Sequence, residues 1–351
     1  TSNSVNGLAT ARSNATGGNG GFANPGANTG AGGDAAATST ATASGSGTAT
    51  AQATAMGGYF PASAIYGGVA KGSSSATTSA GSTASAIGTA TGGAGSRASS
   101  AANTNAAGFL GVSANAAAAT ANGKRATTWG QVDGGPGAKL TSATSALSLS
   151  TYQSFAGATG APDASLVSTA ISGKSNVNAA LGTGWTSLGI GAFASIGNGS
   201  GLPLTDTGTV DFRLNAAGAG IAGPFHFVLG LLDGITTTPT NQIGDFAFTV
   251  TEWGTTVFSA DWTNTSAATI ANWFNDDALT LAADGQNGIY DLGVSYSLTG
   301  DTAKFGTDFM LGAAPIAAST VPEPASLPLF LFGTAAIGFW RLMPRRARRS
   351  E

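Results

Sequence analysis

The 351-residue chain has one imidazole and no thiol, so the chemistry open to it is narrow. The imidazole is His226, within PFHFVLGLL. A nucleophile–base pair would have to use it, since no other His is present. Two-residue alternation sets His226 opposite Phe225 and Phe227, toward solvent or an edge, as suits an incidental strand histidine. The lack of Cys removes disulfides, thiolate metal sites and Cys nucleophiles, and one His alone builds no zinc site. Paired carboxylates could hydrolyse glycosides. Nearly all the acids, however, are Asp in turn-like contexts, as at Asp206, Asp233, Asp284 and Asp301, where Asp serves the turn itself. Glu252, beside Trp253, reads as exposed at a hairpin. We therefore expect a protein that is not an enzyme, with a secreted glycoside hydrolase using an Asp pair as the alternative.

Two further groupings bear on ligands. NDDALTLAADGQNGIYD (275–291) carries Asp276, Asp277, Asp284 and Asp291. Hard oxygen ligands this close in sequence could hold calcium. Gln286 and Asn287 fall out of step with an EF-hand loop, and plain turn polarity accounts for the same residues. No other cofactor is suggested. Trp253, Trp262, Trp273 and Tyr290 could form an aromatic platform that stacks on sugar rings. At least two of them suit a core equally well.

Charge is sparse and uneven. Only 9% of residues are charged, against about 25% in ordinary soluble proteins. Residues 1–125 carry five basic groups and one acid, Asp34, giving +4. Residues 126–320 carry four basic groups against thirteen Asp and Glu252, giving −10. Residues 321–351 carry five Arg against Glu323 and Glu351, giving +3. The acidic middle would repel phosphate, so nucleic acid is not an expected partner.

The elements that must position these groups differ along the chain. Residues 1–125 are a low-complexity Ala/Gly/Ser/Thr arm, as in ATSTATASGSGTATAQATA (37–55). Such residues bury little apolar surface, which suits a flexible, disordered stalk. Their two-residue alternation equally suits irregular, Gly-punctuated β structure, a narrow solenoid or stacked sheet of small residues. The spacing of related pieces is irregular, so no fixed repeat length follows. Beyond Lys124-Arg125, aromatic and β-branched residues become frequent. TVDFRL (209–214), PFHFVLGLLDG (224–234) and WTSLGIGAFASIG (185–197) read as strands. DFAFTVTEWGTTVFSADW (245–262) reads as a hairpin turning at Trp253-Gly254, and YDLGVSYSLTGDTAKFGTDFML (290–311) as another turning at Gly300-Asp301. One helix is expected near 266–279. The sum is a mainly β chain, with an antiparallel, jelly-roll-like β-sandwich over 126–315.

Residues 316–324 form a Pro-rich spacer. Sixteen uncharged residues then separate Pro324 from Arg341. As a helix they reach about 24 Å, a little short of a hydrocarbon core of about 30 Å. Leu342 and Met343 extend the span to 325–343, because Arg341 can snorkel. Residues 344–351, with Arg345, Arg346, Arg348 and Arg349, form a basic stop that would stay in the cytoplasm, with residues 1–320 outside. The chain opens TSNSV, without Met or an apolar leader, as a processed export precursor or a fragment would.

Pro322-Glu323-Pro324, the short apolar span and the terminal Arg cluster together resemble the PEP-CTERM sorting signal. The resemblance covers about 31 residues and is silent on the fold and ligand of residues 1–320. It implies recognition of Pro322, Glu323 and Pro324 by an exosortase, a membrane-embedded cysteine protease of Gram-negative bacteria that make exopolysaccharide. It implies a precursor tethered transiently in the inner membrane, then delivery to the cell surface or to a biofilm matrix. Exopolysaccharide is then a natural contact, and a structural or adhesive role the expected one. A permanently anchored surface protein is the remaining alternative.

Overall fold

The computed structural model describes residues 1–20, 31–44, 47–58, 67–78, 83–92, 97–105, 109–120, 126–134, 138–149, 153–196, 204–221, 223–285, 288–300 and 304–316. Thr1–Pro315 form one compact unit, and Ile316–Glu351 make up a second.

Alternation of Ala with Thr or Ser gives the early strands one face of methyl-sized groups. β1 (Ser2–Val5) pairs in parallel with β3 (Ala35–Ser44), β3 with β5 (Ala70–Thr78), and β5 with β7 (Arg97–Asn105). β2 (Leu8–Thr16), β4 (Thr48–Met56) and β6 (Ala84–Thr91) pair in parallel in a second sheet. The chain therefore changes sheet at each strand from β1 to β7 and coils as a narrow solenoid. Ala37, Ala41, Ala49, Ala51, Ala53, Ala76 and Ala86 are buried between the sheets, while Thr38 and Thr48 face water. The sheets approach until backbones touch. A Cβ on Gly72 would lie 2.2 Å from the Thr89 carbonyl oxygen, and one on Gly88 2.4 Å from that of Ala101. Gly-Gly pairs pass the corners, where the Gly33 amide donates to Gly18 O (2.7 Å) and the Gly58 amide to Gly33 O (2.8 Å). The coils are unequal. Ala35 lies beside Ala70, 35 residues on, but Ala70 lies beside Ala98, only 28 on. Strand pairing thus holds register while corner lengths vary, which is why the sequence shows no fixed period.

Larger side chains take over from β8 (Phe109–Thr120) onward. The remaining strands are β9 (Thr127–Gly134), β10 (Ser154–Gly160), β11 (Thr186–Ile196), β12 (Leu204–Asn215), β13 (Phe225–Thr236), β14 (Gln242–Glu252), β15 (Thr255–Ser266), β16 (Asp277–Gly285), β17 (Ile289–Gly300) and β18 (Lys304–Pro315). One sheet runs β1-β3-β5-β7-β8-β12-β17-β14-β15, and the other β16-β13-β18-β11-β10-β9-β6-β4-β2. Both pass residue 125 without a break, through the antiparallel pairs β8–β12 and β6–β9. Phe193, Phe212, Phe246, Phe248, Phe305 and Phe309 fill the space between them. Each such ring contributes about 1.5–3 kcal/mol of burial, far more than an alanine methyl.

Four short helices lie among the described residues. α1 (Ala143–Ser148), α2 (Ala164–Ala170) and α4 (Ala267–Trp273) are capped by Ser142, Asp163 and Ser266. α3 (Ser175–Leu181) has Lys174 at its N-cap, with no side-chain cap bond of its own. The helix expected near 266–279 is α4, shorter than expected because Asp277 already begins β16.

Two expectations are corrected. The sheets are mixed rather than antiparallel: the solenoid strands run parallel, and so do β9 and β10. For β1 to β7 this follows from coiling, which returns each strand to its sheet in the same direction. The strands over 290–311 do not form a hairpin. β17 lies in one sheet and β18 in the other, because each turns an apolar face to the shared core. No jelly-roll order is established by this pairing. Among the described residues no helix is long and apolar enough to cross a membrane. The span expected over 325–343, the Pro-Glu-Pro triplet and the Arg cluster lie outside the described residues.

Candidate functional site

A cavity of about 560 Å³ is a groove on the outer face of the sheet that holds β12. One rank of its residues follows strand register: Ser75 beside Asn103, Asn103 beside Ser113, Ser113 beside Asp211, Asp211 beside Gly293, and Gly293 beside Thr251. Strands sit about 4.8 Å apart, so polar side chains recur at that interval across β5, β7, β8 and β12, and Gly293 on β17 interrupts the row before Thr251 on β14. A second rank brings Gly111 and Asp291 to either side of Arg213. Ser113 Oγ donates to Asp211 Oδ2 at 2.9 Å. Burial pushes the Asp211 carboxyl above its usual range, the Ser113 bond opposes this, and the charge of Asp291 adds to it. Gly293 lets the Thr251 and Asp211 side chains close over it. A Cβ there would meet Thr251 Oγ1 at 2.5 Å and Asp211 Oδ1 at 2.9 Å.

The β14–β15 hairpin borders this groove, with Gly254 in its lining. Glu252 pairs with Thr255, leaving a two-residue loop, Trp253-Gly254, with φ of +52° and +72°. Two positive φ values make a type I′ turn, whose first position favours Asn, Asp or Gly. A bulky aromatic residue there is an outlier. The Trp253 amide donates to Asp291 O at 2.8 Å, yet Trp253 remains 55% exposed.

A second cavity, about 380 Å³, is lined by Leu140, Leu166, Ile190 and Leu232 together with Lys174, Asp233 and Asp308. Asp233 and Asp308 are direct partners across β13 and β18. Lys174 Nζ lies 2.6 Å from Asp233 Oδ1. Asp308 accepts from the Ala143 amide at 2.8 Å. Burial raises the Asp308 carboxyl to about 7, helped by the charge of Asp233 and opposed by the Ala143 bond and by Lys174.

The acids expected in turns are mostly elsewhere. Asp206 is fully buried near the start of β12, where it accepts a hydrogen bond from Ser195 Oγ, and burial holds its pKa well above the usual range. Asp233 lies within β13. Asp284 lies in β16 with its side chain outside the described residues, as is all of Asp301. His226 is half-buried on β13, opposite Phe225 and Phe227, as alternation requires. Glu252 is half-buried at the hairpin.

Among the four acids read as calcium ligands, Asp276 accepts from the amides of Ser175, Asn176 and Val177 and from Ser175 Oγ. It thereby serves the N-terminus of α3, which Lys174 leaves uncapped. Asp277 accepts from the Ala278 amide, and Asp291 lines the groove. Among the described residues no three acidic or imidazole groups gather as a metal site would need. Of the four aromatic residues, Trp262 and Trp273 meet edge to face at 5.0 Å and pack on the core with Phe246, Phe248 and Phe258. Tyr290 sits apart against Phe225 and Phe227. Trp253 alone of the four is exposed. Sequence reading missed the groove residues Asn103, Ser113, Asp211 and Arg213. The alternation in TVDFRL turns Asp211 and Arg213 outward, but their partners on β7 and β8 come from a distant segment.

Several solved structures resemble part of this chain. They include TmCBM61 in complex with β-1,4-galactotriose (11% identical, covering 34% of this chain and 69% of that chain, TM-score 0.21). A family 35 carbohydrate-binding module from Clostridium thermocellum is 14% identical, covering 34% of this chain and 86% of that chain, at a TM-score of 0.19. At such scores the likeness carries no argument about fold or ligand. No curated protein matches the chain. The family model for the PEP-CTERM protein-sorting motif matches residues 320–346. This chain therefore carries a PEP-CTERM sorting motif, which marks an exported protein sorted by an exosortase.

Proposed function

We propose that this is a surface or extracellular-matrix protein of structural and adhesive character, which acts in exopolysaccharide or biofilm without catalysing a reaction. The observation that carries the reading is the sorting motif at 320–346, following a Cys-free body of paired strands. A compact β body with few charges suits a matrix component that works by contact. On this reading residues 325–343 form a transient inner-membrane span, residues 344–351 its basic stop, and the exosortase acts near Pro322-Glu323-Pro324. Intact-mass analysis of the protein recovered from the cell surface tests it. A mass that lacks everything beyond about Pro324 is the expected result. A surface form that keeps its Arg cluster would instead support a permanent anchor.

The Asp233–Asp308 pair favours a second reading, a secreted glycoside hydrolase. Two carboxylates line one cavity there, and one of them holds its proton to about pH 7. Release of reducing ends from matrix glycan, abolished by Asp308→Asn, would establish it. The same glycan left intact by the wild-type protein would remove it.

A further inference from the structure

We propose that the groove of Ser75, Asn103, Ser113, Asp211, Arg213 and Asp291, with Trp253 at its rim, binds an extended, uncharged polysaccharide chain. The inference deepens the adhesive reading above and rests on it for the choice of glycan among polyhydroxylated ligands.

Three features argue for a built site. The groove crosses six strands, and over the first four of them donors and acceptors recur at about 4.8 Å. A polymer that carries hydroxyls on every unit matches such a row, and an apolar ligand does not. Hydroxyls can donate to Asp211 and Asp291 and accept from Arg213. Second, Asp211 and Thr251 close over Gly293, where any side chain would push them out of place. Third, the bordering turn holds Trp where Asn or Gly would cost less, and exposes the ring. A strained and exposed aromatic residue beside a polar groove suits stacking on the apolar face of a pyranose. The groove's two carboxylates against one guanidinium disfavour uronate or phosphate chains, which selects an uncharged polymer.

Titration of the full-length protein in detergent with cellotetraose, xylotetraose, galactotetraose and tetragalacturonate tests the proposal. At least one neutral tetrasaccharide should bind, and tetragalacturonate should bind at least about tenfold more weakly. Trp253→Asn should weaken binding about tenfold while raising the melting temperature, because Asn suits the turn. Gly293→Ala should weaken it by a similar factor by displacing Asp211 and Thr251. Failure of all three neutral sugars to bind would overturn the proposal. So would unchanged affinity in both variants, or equal binding of tetragalacturonate. Surface protein shorn of its tail but blind to every sugar would leave the delivery reading standing and remove this one alone.

Discussion

Asp276 shows how one carboxylate can do at long range what the local sequence omits. Lys174 offers no cap to α3, and Asp276, about 100 residues away, accepts from its first amides instead. Desolvation pushes this carboxyl up, but the hydrogen bonds from Val177, Asn176 and Ser175 together outweigh it and hold its pKa below the usual value. A depressed folded pKa gives stability that is full above the unfolded value and lost as pH falls through the folded one. Asp276→Ala should therefore lower the melting temperature at neutral pH, with the gap to wild type closing as pH falls below the ordinary carboxylate range. Asp308 has the opposite sign. Its folded pKa of about 7 exceeds the ordinary 3.8, so its protonated form favours the folded state. That stability is full below about pH 4 and declines as pH rises toward about 7. Asp308→Asn keeps an acceptor for the Ala143 amide and removes the decline. Above about pH 8 the variant should be the more stable, by at most about 4 kcal/mol. Thermal melts across this range check both variants, and a flat difference for Asp308→Asn would contradict the assignment.

At the scale of elements, the solenoid depends on how little its inward side chains occupy. Phe or Leu at those positions would hold the sheets apart, whereas Ala and Gly let backbones meet. Gly88→Ala places a methyl 2.4 Å from the Ala101 carbonyl oxygen, so a strand has to shift. Denaturant unfolding should show a loss of about 1–3 kcal/mol. Thr38→Ala, on the exposed face of β3, should stay within about 0.5 kcal/mol of wild type. An equal effect of the two changes would mean that inter-sheet contact does not hold this region. The alternation that forms these strands was legible in ATSTATASGSGTATAQATA. Their parallel pairing was not, because corners of unequal length hide the period.

For the body as a whole, the two sheets are shared by strands from both sides of residue 125. A folded sandwich preceded by a separate arm would melt in two steps, or would melt unchanged when the arm is removed. Continuous sheets predict one cooperative transition for residues 1–315, seen as agreement between calorimetric and van't Hoff enthalpies. Two resolved transitions would place a true domain boundary near residue 125.

The sequence by itself determined the β character beyond residue 125, the Ala/Thr alternation of the early segment, the Trp253-Gly254 turn and the sorting motif. Each is written in local order, as a two-residue period, a dipeptide or a short run of fixed composition. Tertiary structure alone decided which strands share a sheet, that β17 and β18 part company, and that Asp206 is buried. It also decided that Asp276 reaches α3, and that Ser113 and Asn103 stand beside Asp211. Those outcomes depend on which distant backbone supplies the partner for each strand, and strand pairing leaves no mark on the residues between.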